Sequence, residues 1–323
     1  MARPRKEQIS ISDTPYYHVV SRCVRRSFLC GTDDVTGKSY EHRRLWIENR
    51  IRILSSIFDI DICSYAVMSN HLHIVVKIGS EQADQWTRKE ILERWTSLYK
   101  GPKLIQRLIQ GDRLDNAEQY SANVYIEEYR NRLKDLSWFM KALNEPIARG
   151  ANKEDGCTGH FWESRYKSQA LLTEEAVLSC MAYVDLNPLR AKISDTPEDS
   201  EHTSIKERIS PQFSLQTAIR EQIDLQCLIK FQLPLKPLIK FEDNVKQEKQ
   251  AGILFSAVDY LELVDYTGRI LKEGKRGVIQ QTAPPILKRL NLNTDEWLAR
   301  SCAFEANYHS FFAKWRNTRR QAA

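Results

Sequence analysis

Ile62-Cys-Ser-Tyr-Ala-Val-Met-Ser-Asn-His-Leu-His-Ile-Val-Val-Lys-Ile78 is the stretch that decides the fold of this chain. Ile62–Met68 and Leu72–Ile78 are short runs rich in β-branched and apolar residues. Ser69-Asn70 supplies turn chemistry between them, so the stretch predicts a β-hairpin. Side chains alternate along a strand with a period of two, which sends His71 and His73 to one face and Leu72 and Ile74 to the other. Two imidazoles held on one face of a strand are two-thirds of a divalent metal site; two half-exposed histidines on a solvent face share that spacing.

Outward from the hairpin, Tyr16–Val24 reads as a first strand, and a loop through Gly31–Gly37 leads into a helix over Tyr40–Phe58. That helix is marked by the spacing of Leu45, Ile47, Ile51, Leu54 and Ile57. Residues 80–117 read as a helical insertion, with Gly101-Pro102 and Gly111-Asp112 as breakers. One long helix is expected from about Ala122 to Ala151, bent at Pro146. Ser168–Leu172 supplies a fourth strand, and Glu174–Val184 a closing helix before Asn187-Pro188. The order β, α, β, β, α, β is that of the split βαβ, ferredoxin-like unit. The expected fold class is therefore α+β, with such a domain over residues 1–195 and the helical insertion after its third strand. Residues 196–250 read as a polar, linker-like region and 251–323 as a mainly helical C-terminal region. There Trp297, Phe304, Phe311, Phe312 and Trp315 are most economically a small helical core.

With 323 residues, 42% hydrophobic and 10% aromatic, the composition is that of a globular protein with a sizeable core. No run approaches the roughly 18 apolar residues of a membrane span, and the start lacks a secretory h-region. Seven cysteines, odd in number and never in a Cys-x-x-Cys pair, exclude a zinc ribbon and fit reduced thiols. Together these imply a cytoplasmic protein with no membrane partner. The formal net charge is +6 and it is concentrated at the ends. Arg3, Arg5, Lys6, Arg22, Arg25 and Arg26 face only Glu7 and Asp13 in the first thirty residues, and Lys314, Arg316, Arg319 and Arg320 face no acid in the last fourteen. Basic ends suit a polyanion such as nucleic acid, and equally suit solvated termini.

Four strings stand out. Tyr17-His-Val-Val-Ser-Arg22 puts His18 and Arg22 on one face of the first strand. Ala66-Val-Met-Ser-Asn-His-Leu-His73 carries the histidine pair. Thr158-Gly-His-Phe-Trp-Glu-Ser-Arg-Tyr-Lys-Ser168 interleaves aromatics with Arg165 and Lys167, and Ala182-Tyr-Val-Asp-Leu-Asn-Pro-Leu-Arg-Ala191 closes the set. Cationic side chains among aromatics can neutralise phosphates and stack bases, though Phe161 and Trp162 can also anchor a loop in the core.

In these four strings, taken in order over roughly residues 10–195, the chain resembles the REP-associated tyrosine transposases. They are a branch of the single-tyrosine HUH nucleases. The resemblance implies a ferredoxin-like HUH domain acting on single-stranded, hairpin-forming DNA. It implies a divalent cation, Mg²⁺ or Mn²⁺, held in part by His71 and His73, and cleavage and rejoining through a tyrosine joined to a 5′ phosphate. Asn152 is the first choice for a third ligand, an oxygen donor suited to a hard ion. Arg22, Arg165, Lys167 and Arg190 are the expected DNA contacts. The resemblance also implies a nucleophile on the helix before the Thr158–Ser168 string. The matching position is Pro146 or Ile147, neither of which can attack phosphorus, leaving Tyr129 and Tyr166 as candidates. Members of the family act as monomers or dimers, so the resemblance allows a homodimer without deciding for it.

Three readings follow from these residues: a strand-transferring transposase, a DNA-binding relative that has lost its nucleophilic tyrosine, and a metal-dependent phosphodiesterase using activated water.

Overall fold

The computed structural model describes residues 9–24, 29–33, 36–79, 82–220, 233–242 and 252–271. The aromatic group from Trp297 to Trp315, the basic C-terminal tail, and Arg3, Arg5, Lys6, Arg25 and Arg26 lie outside the described residues.

The hairpin forms as its sequence directs. β2 (Ile60–Val67) and β3 (His71–Ile78) pair antiparallel, and β1 (Tyr16–Arg22) lies on the other side of β3. β4 (Lys167–Ala170) pairs antiparallel with β1, giving the sheet order β2-β3-β1-β4. α1 (His42–Ile57) connects β1 to β2, strands that lie two apart with β3 between them. α6 (Leu136–Glu154) leads in the same way from β3 to β4, which flank β1. This is a four-stranded antiparallel sheet with helices, an α+β arrangement.

Strict alternation fails at one place in β2, and the failure has a purpose. The register shifts between Ile62 and Ser64, so Cys63 is an extra residue in the ladder. A bulge resets which face the following side chains occupy. Ile60 and Ile62 before it, and Tyr65 and Val67 after it, therefore all join one core with Ile74 and Val76. Cys63 and Ala66 join the other core, beside Val75.

The two faces carry different covers. The first core takes in Tyr17, Val19, Leu72, Ile74 and Val76 from the sheet, Ile47, Ile51 and Leu54 from α1, and Phe139, Leu143 and Ile147 from α6. The second core lies under α7 (Glu174–Asp185), with Val177, Leu178, Met181 and Val184 against Val75 and Ala66.

The insertion is helical, as expected, with α2 (Gln82–Gln85), α3 (Arg88–Thr96) and α4 (Lys103–Gln110). α4 stops at Gly111, whose φ of 85° is the left-handed cap conformation that glycine adopts without strain. The single long helix expected over 122–151 is instead two, α5 (Asn116–Leu133) and α6. Asp135 causes the break: its carboxylate accepts from the backbone N–H groups of Ser137 and Trp138 and so starts a new helix. Pro146 sits inside α6 without ending it.

Beyond β4, α7 starts at the Thr173 cap and continues almost directly into α8 (Asn187–Arg190). α9 (Ser204–Ile209), α10 (Leu215–Arg220), a short parallel pair β5 (Phe241–Glu242) and β6 (Ile253–Leu254), and α11 (Ala257–Leu271) follow. Asp185, at the end of α7, ties this region to the sheet domain. Its buried carboxylate accepts from Tyr260 Oη at 2.6 Å, from the Ile205 N–H at 3.2 Å and from Ser204 Oγ. No helix among the described residues is long and apolar enough to cross a membrane.

Candidate functional site

β1 and β3 build the centre of the site. Val20 lies opposite His73, Arg22 opposite His71 and His18 opposite Val75. Directly paired residues share a face, so His18, Arg22, His71 and His73 all point toward the α7 side of the sheet. Lys167 pairs with Val20 and points the same way from β4.

The result is a row of three imidazoles rather than a pair. His18 Nε2 and His73 Nδ1 are 2.9 Å apart, within a hydrogen bond. Their rings are stacked, with centroids 5.1 Å apart and planes 9° from parallel. His71 meets His73 nearly at right angles with centroids 4.7 Å apart, and its Nδ1 lies 2.5 Å from Asn70 Oδ1. His73 is completely buried, and its Nε2 has no hydrogen-bond partner among the described residues. Burial, with the neighbouring His71, lowers the His18 pKa to about 3. Burial also holds His73 well below the ordinary imidazole value, helped by His18, His71, Arg22 and Arg190. Both rings are therefore neutral, the state in which an imidazole offers a lone pair to a cation.

α7 lays Tyr183 against this row. The ring meets His73 edge-on at 5.6 Å and His18 edge-on at 6.2 Å between centroids. Tyr183 is only 2% exposed, and the Arg190 guanidinium covers its ring at 4.8 Å. Asn187 stands four residues after Tyr183, and the backbone between them stays helical, with Arg190 N–H bonded to Leu186 O. Asn187 is nearly buried, and its amide nitrogen has no hydrogen-bond partner among the described residues.

Several expected residues are not brought to this place. Asn152 is on α6, the cover of the opposite face, and its amide donates to Gly159 O at 3.0 Å. Tyr129 belongs to the first core, stacked on Trp95 with centroids 4.7 Å apart. Tyr166 lies in the same core, with its hydroxyl 3.2 Å from Ser137 Oγ on α6. Alternation along β4 accounts for this, since Tyr166 has the parity of Ser168 rather than of Lys167. Phe161 is a core residue, and the Trp162 indole N–H donates to Asn144 O at 2.9 Å. Arg22, Arg165, Lys167 and Arg190 are exposed. Arg22 and Arg190 both act electrostatically on His73, whereas Arg165 precedes β4 on the surface.

The residue that sequence reasoning missed is Tyr183. Its signal was present, because Tyr183 and Asn187 in the Ala182–Ala191 string are spaced i, i+4 and so share a helical face.

The resemblance implies a divalent cation at this place. Toward that cation His73 offers a buried imidazole nitrogen with no hydrogen-bond partner among the described residues, and His71 stands beside it. Among the described residues, however, no group of three or more histidines, cysteines or acids is placed to hold one.

No family model matches the chain, and no curated protein matches it. A solved structure described as the REP associates tyrosine transposase bound to a REP hairpin aligns over 67% of this chain and 90% of its own, at 12% identity and a TM-score of 0.32. That likeness is too slight to transfer a fold or a function.

Proposed function

We propose that this chain is an HUH-type, transposase-like enzyme of single-stranded, hairpin-forming DNA, built on a split βαβ sheet, with Tyr183 as its nucleophile. One observation carries the reading: the helix covering the histidine face places a tyrosine ring edge-on to His73, with an arginine over that ring. A tyrosine ring beside a histidine pair and two guanidinium groups has the parts that phosphoryl transfer needs.

In this reading Tyr183 Oη attacks phosphorus and loses its proton. The bond to the 3′ oxygen breaks, that oxygen leaves as a hydroxyl, and the DNA stays joined to the enzyme as a 5′-phosphotyrosine. Reversal with another 3′ hydroxyl rejoins the strand without an external energy source. His71 and His73 would hold Mg²⁺ or Mn²⁺, with the Asn187 amide as oxygen donor in place of Asn152. When bound, the cation stabilises the charge that develops on the phosphate oxygens. Arg190 and Arg22 neutralise phosphates at the same place. Because Tyr183 is buried beneath Arg190, the guanidinium leaves the ring for the DNA phosphate as the strand enters. Lys167 and Arg165 extend the basic path along β4.

Burial of Tyr183 also favours a second reading, a DNA-binding relative that no longer transfers strands. A denaturing protein gel separates the two. After incubation with a labelled single-stranded hairpin and Mn²⁺, the first reading expects a covalent adduct that Tyr183→Phe abolishes and that Tyr129→Phe and Tyr166→Phe retain. Shifted but uncut DNA supports the second reading, and cleavage without an adduct supports attack by water.

A further inference from the structure

His18 is the polar group in this site that the proposed chemistry leaves without a task. It is 2% exposed, it sits on a different strand from the histidine pair, and its Nε2 lies 2.9 Å from His73 Nδ1. A neutral imidazole carries one N–H, so this contact contains one donor and one acceptor, and there are two ways to arrange them.

If His18 donates, His73 carries its proton on Nε2, where a buried N–H has no acceptor among the described residues. If His73 donates from Nδ1, its Nε2 is a lone pair. In that case the His18 proton lies on its own buried Nδ1, for which the described residues likewise supply no hydrogen bond, so counting unsatisfied atoms does not separate the two arrangements. What separates them is the need of a metal-ligating histidine, whose remote N–H is held by a neighbour, and the second arrangement meets it.

The geometry points to His18 as a positioning residue that accepts the Nδ1 proton of His73, fixes that tautomer, and thereby aims the Nε2 lone pair of His73 at a divalent cation. The inference rests on the proposed function for the identity of the ligand and, through it, for the choice of tautomer. The stacking of the two rings, 9° from parallel, holds the hydrogen bond in register. His71 and Tyr183, both nearly perpendicular to His73, limit rotation of its ring from the other sides. His71 has an analogous partner in Asn70 Oδ1, so each member of the pair has its Nδ1 engaged by an outer group. The two groups differ in kind, an amide oxygen at the exposed end and an imidazole at the buried one.

The test has two readouts on the full chain. In ¹⁵N-histidine long-range correlation spectra without metal, His73 is expected as the Nδ1–H tautomer. A His73 found with its proton on Nε2 overturns the inference whatever the protein does to DNA. Binding of Mn²⁺ alone is then followed by calorimetry. His18→Leu is expected to weaken it by about 10- to 100-fold, and His18→Gln, whose amide oxygen still accepts, recovers most of that loss. Equal weakening in both variants, or in neither, overturns the positioning role. Wild-type protein that binds no Mn²⁺ contradicts both the cation site of the proposed function and the aim assigned to His18, while the spectra still decide the tautomer.

Discussion

The two faces of one sheet differ more from each other than the sheet differs from any ordinary antiparallel one. Toward α1 and α6, the strands present Tyr17, Val19, Leu72, Ile74 and Val76, a face built to be buried and little else. Toward α7, the same strands present His18, His73, Arg22 and Lys167 beside Val75. Neighbouring residues of β3 therefore serve opposite ends, with Ile74 contributing to folding and His73 held in a state that folding alone does not favour. Burying an imidazole nitrogen without a partner costs free energy, and natural chains tolerate such costs chiefly at functional sites. The comparison sets stability on one face and the proposed chemistry on the other.

Substitution in adjacent positions breaks or sharpens that assignment. Ile74→Ala removes a fully buried side chain from the first core and is expected to cost about 2–5 kcal/mol, read as a lower urea midpoint at unchanged slope. A loss under about 1 kcal/mol would mean that this face is not the stabilising one.

Asp185 tests the α7 side, where buried polar groups carry a thermodynamic cost. Burial raises its carboxyl to about 6, against the opposing hydrogen bonds from Ser204 and Tyr260. An acid whose folded-state pKa lies above its unfolded value of about 3.9 contributes stability that is full below that value and lost as pH rises through 6. Wild type minus Asp185→Asn should therefore gain up to about 3 kcal/mol in unfolding free energy between pH 7 and pH 4, at about 1.4 kcal/mol per pH unit. A flat difference across that window would show that Asp185 titrates as an ordinary carboxyl.

His73→Leu inverts the outcome of Ile74→Ala. It removes a buried unpartnered nitrogen but also the bond to His18 Nε2, so the two effects oppose and stability should change by no more than about 1 kcal/mol either way. Cleavage of a hairpin substrate should fall by about 100-fold or more. Loss of folding together with activity would place His73 among the structural residues.

The smallest effects belong to the basic rim. Arg165→Ala and Lys167→Ala should each weaken DNA binding by a few-fold and lower the salt dependence of binding by about one ion. Fluorescence anisotropy across a salt series measures both, and an unchanged slope would remove the residue from the DNA path.

The sequence made the scaffold legible because its signals are local. The apolar, β-branched runs in Ile62–Ile78, the helical period in Tyr40–Phe58 and the closing helix ahead of Asn187-Pro188 each act over a few residues, and each element formed within a few residues of its expected place. The division of α5 from α6 was missed because a side-chain cap at Asp135 outweighs a continuous apolar period. The bulge at Cys63 was missed because a strand of all-buried residues shows no alternation to interrupt. The site was half legible. His71 and His73 share a strand, so their convergence is a matter of period. Tyr183 reaches them only because α7 packs across the sheet, a contact spanning over a hundred residues that no local pattern encodes. Tyr129 and Tyr166, the tyrosines the sequence singles out, are sent by the fold to the other core.

The central claim is that Tyr183 forms the bond to DNA, and mass spectrometry of the trapped adduct addresses it most directly. After reaction with a single-stranded hairpin in Mn²⁺, the complex is digested with nuclease and protease and its modified peptide sequenced. The account predicts a nucleotide on the phenolic oxygen of Tyr183 and none on Tyr129 or Tyr166. A nucleotide on any other tyrosine, or cleaved DNA with no modified peptide, would contradict it.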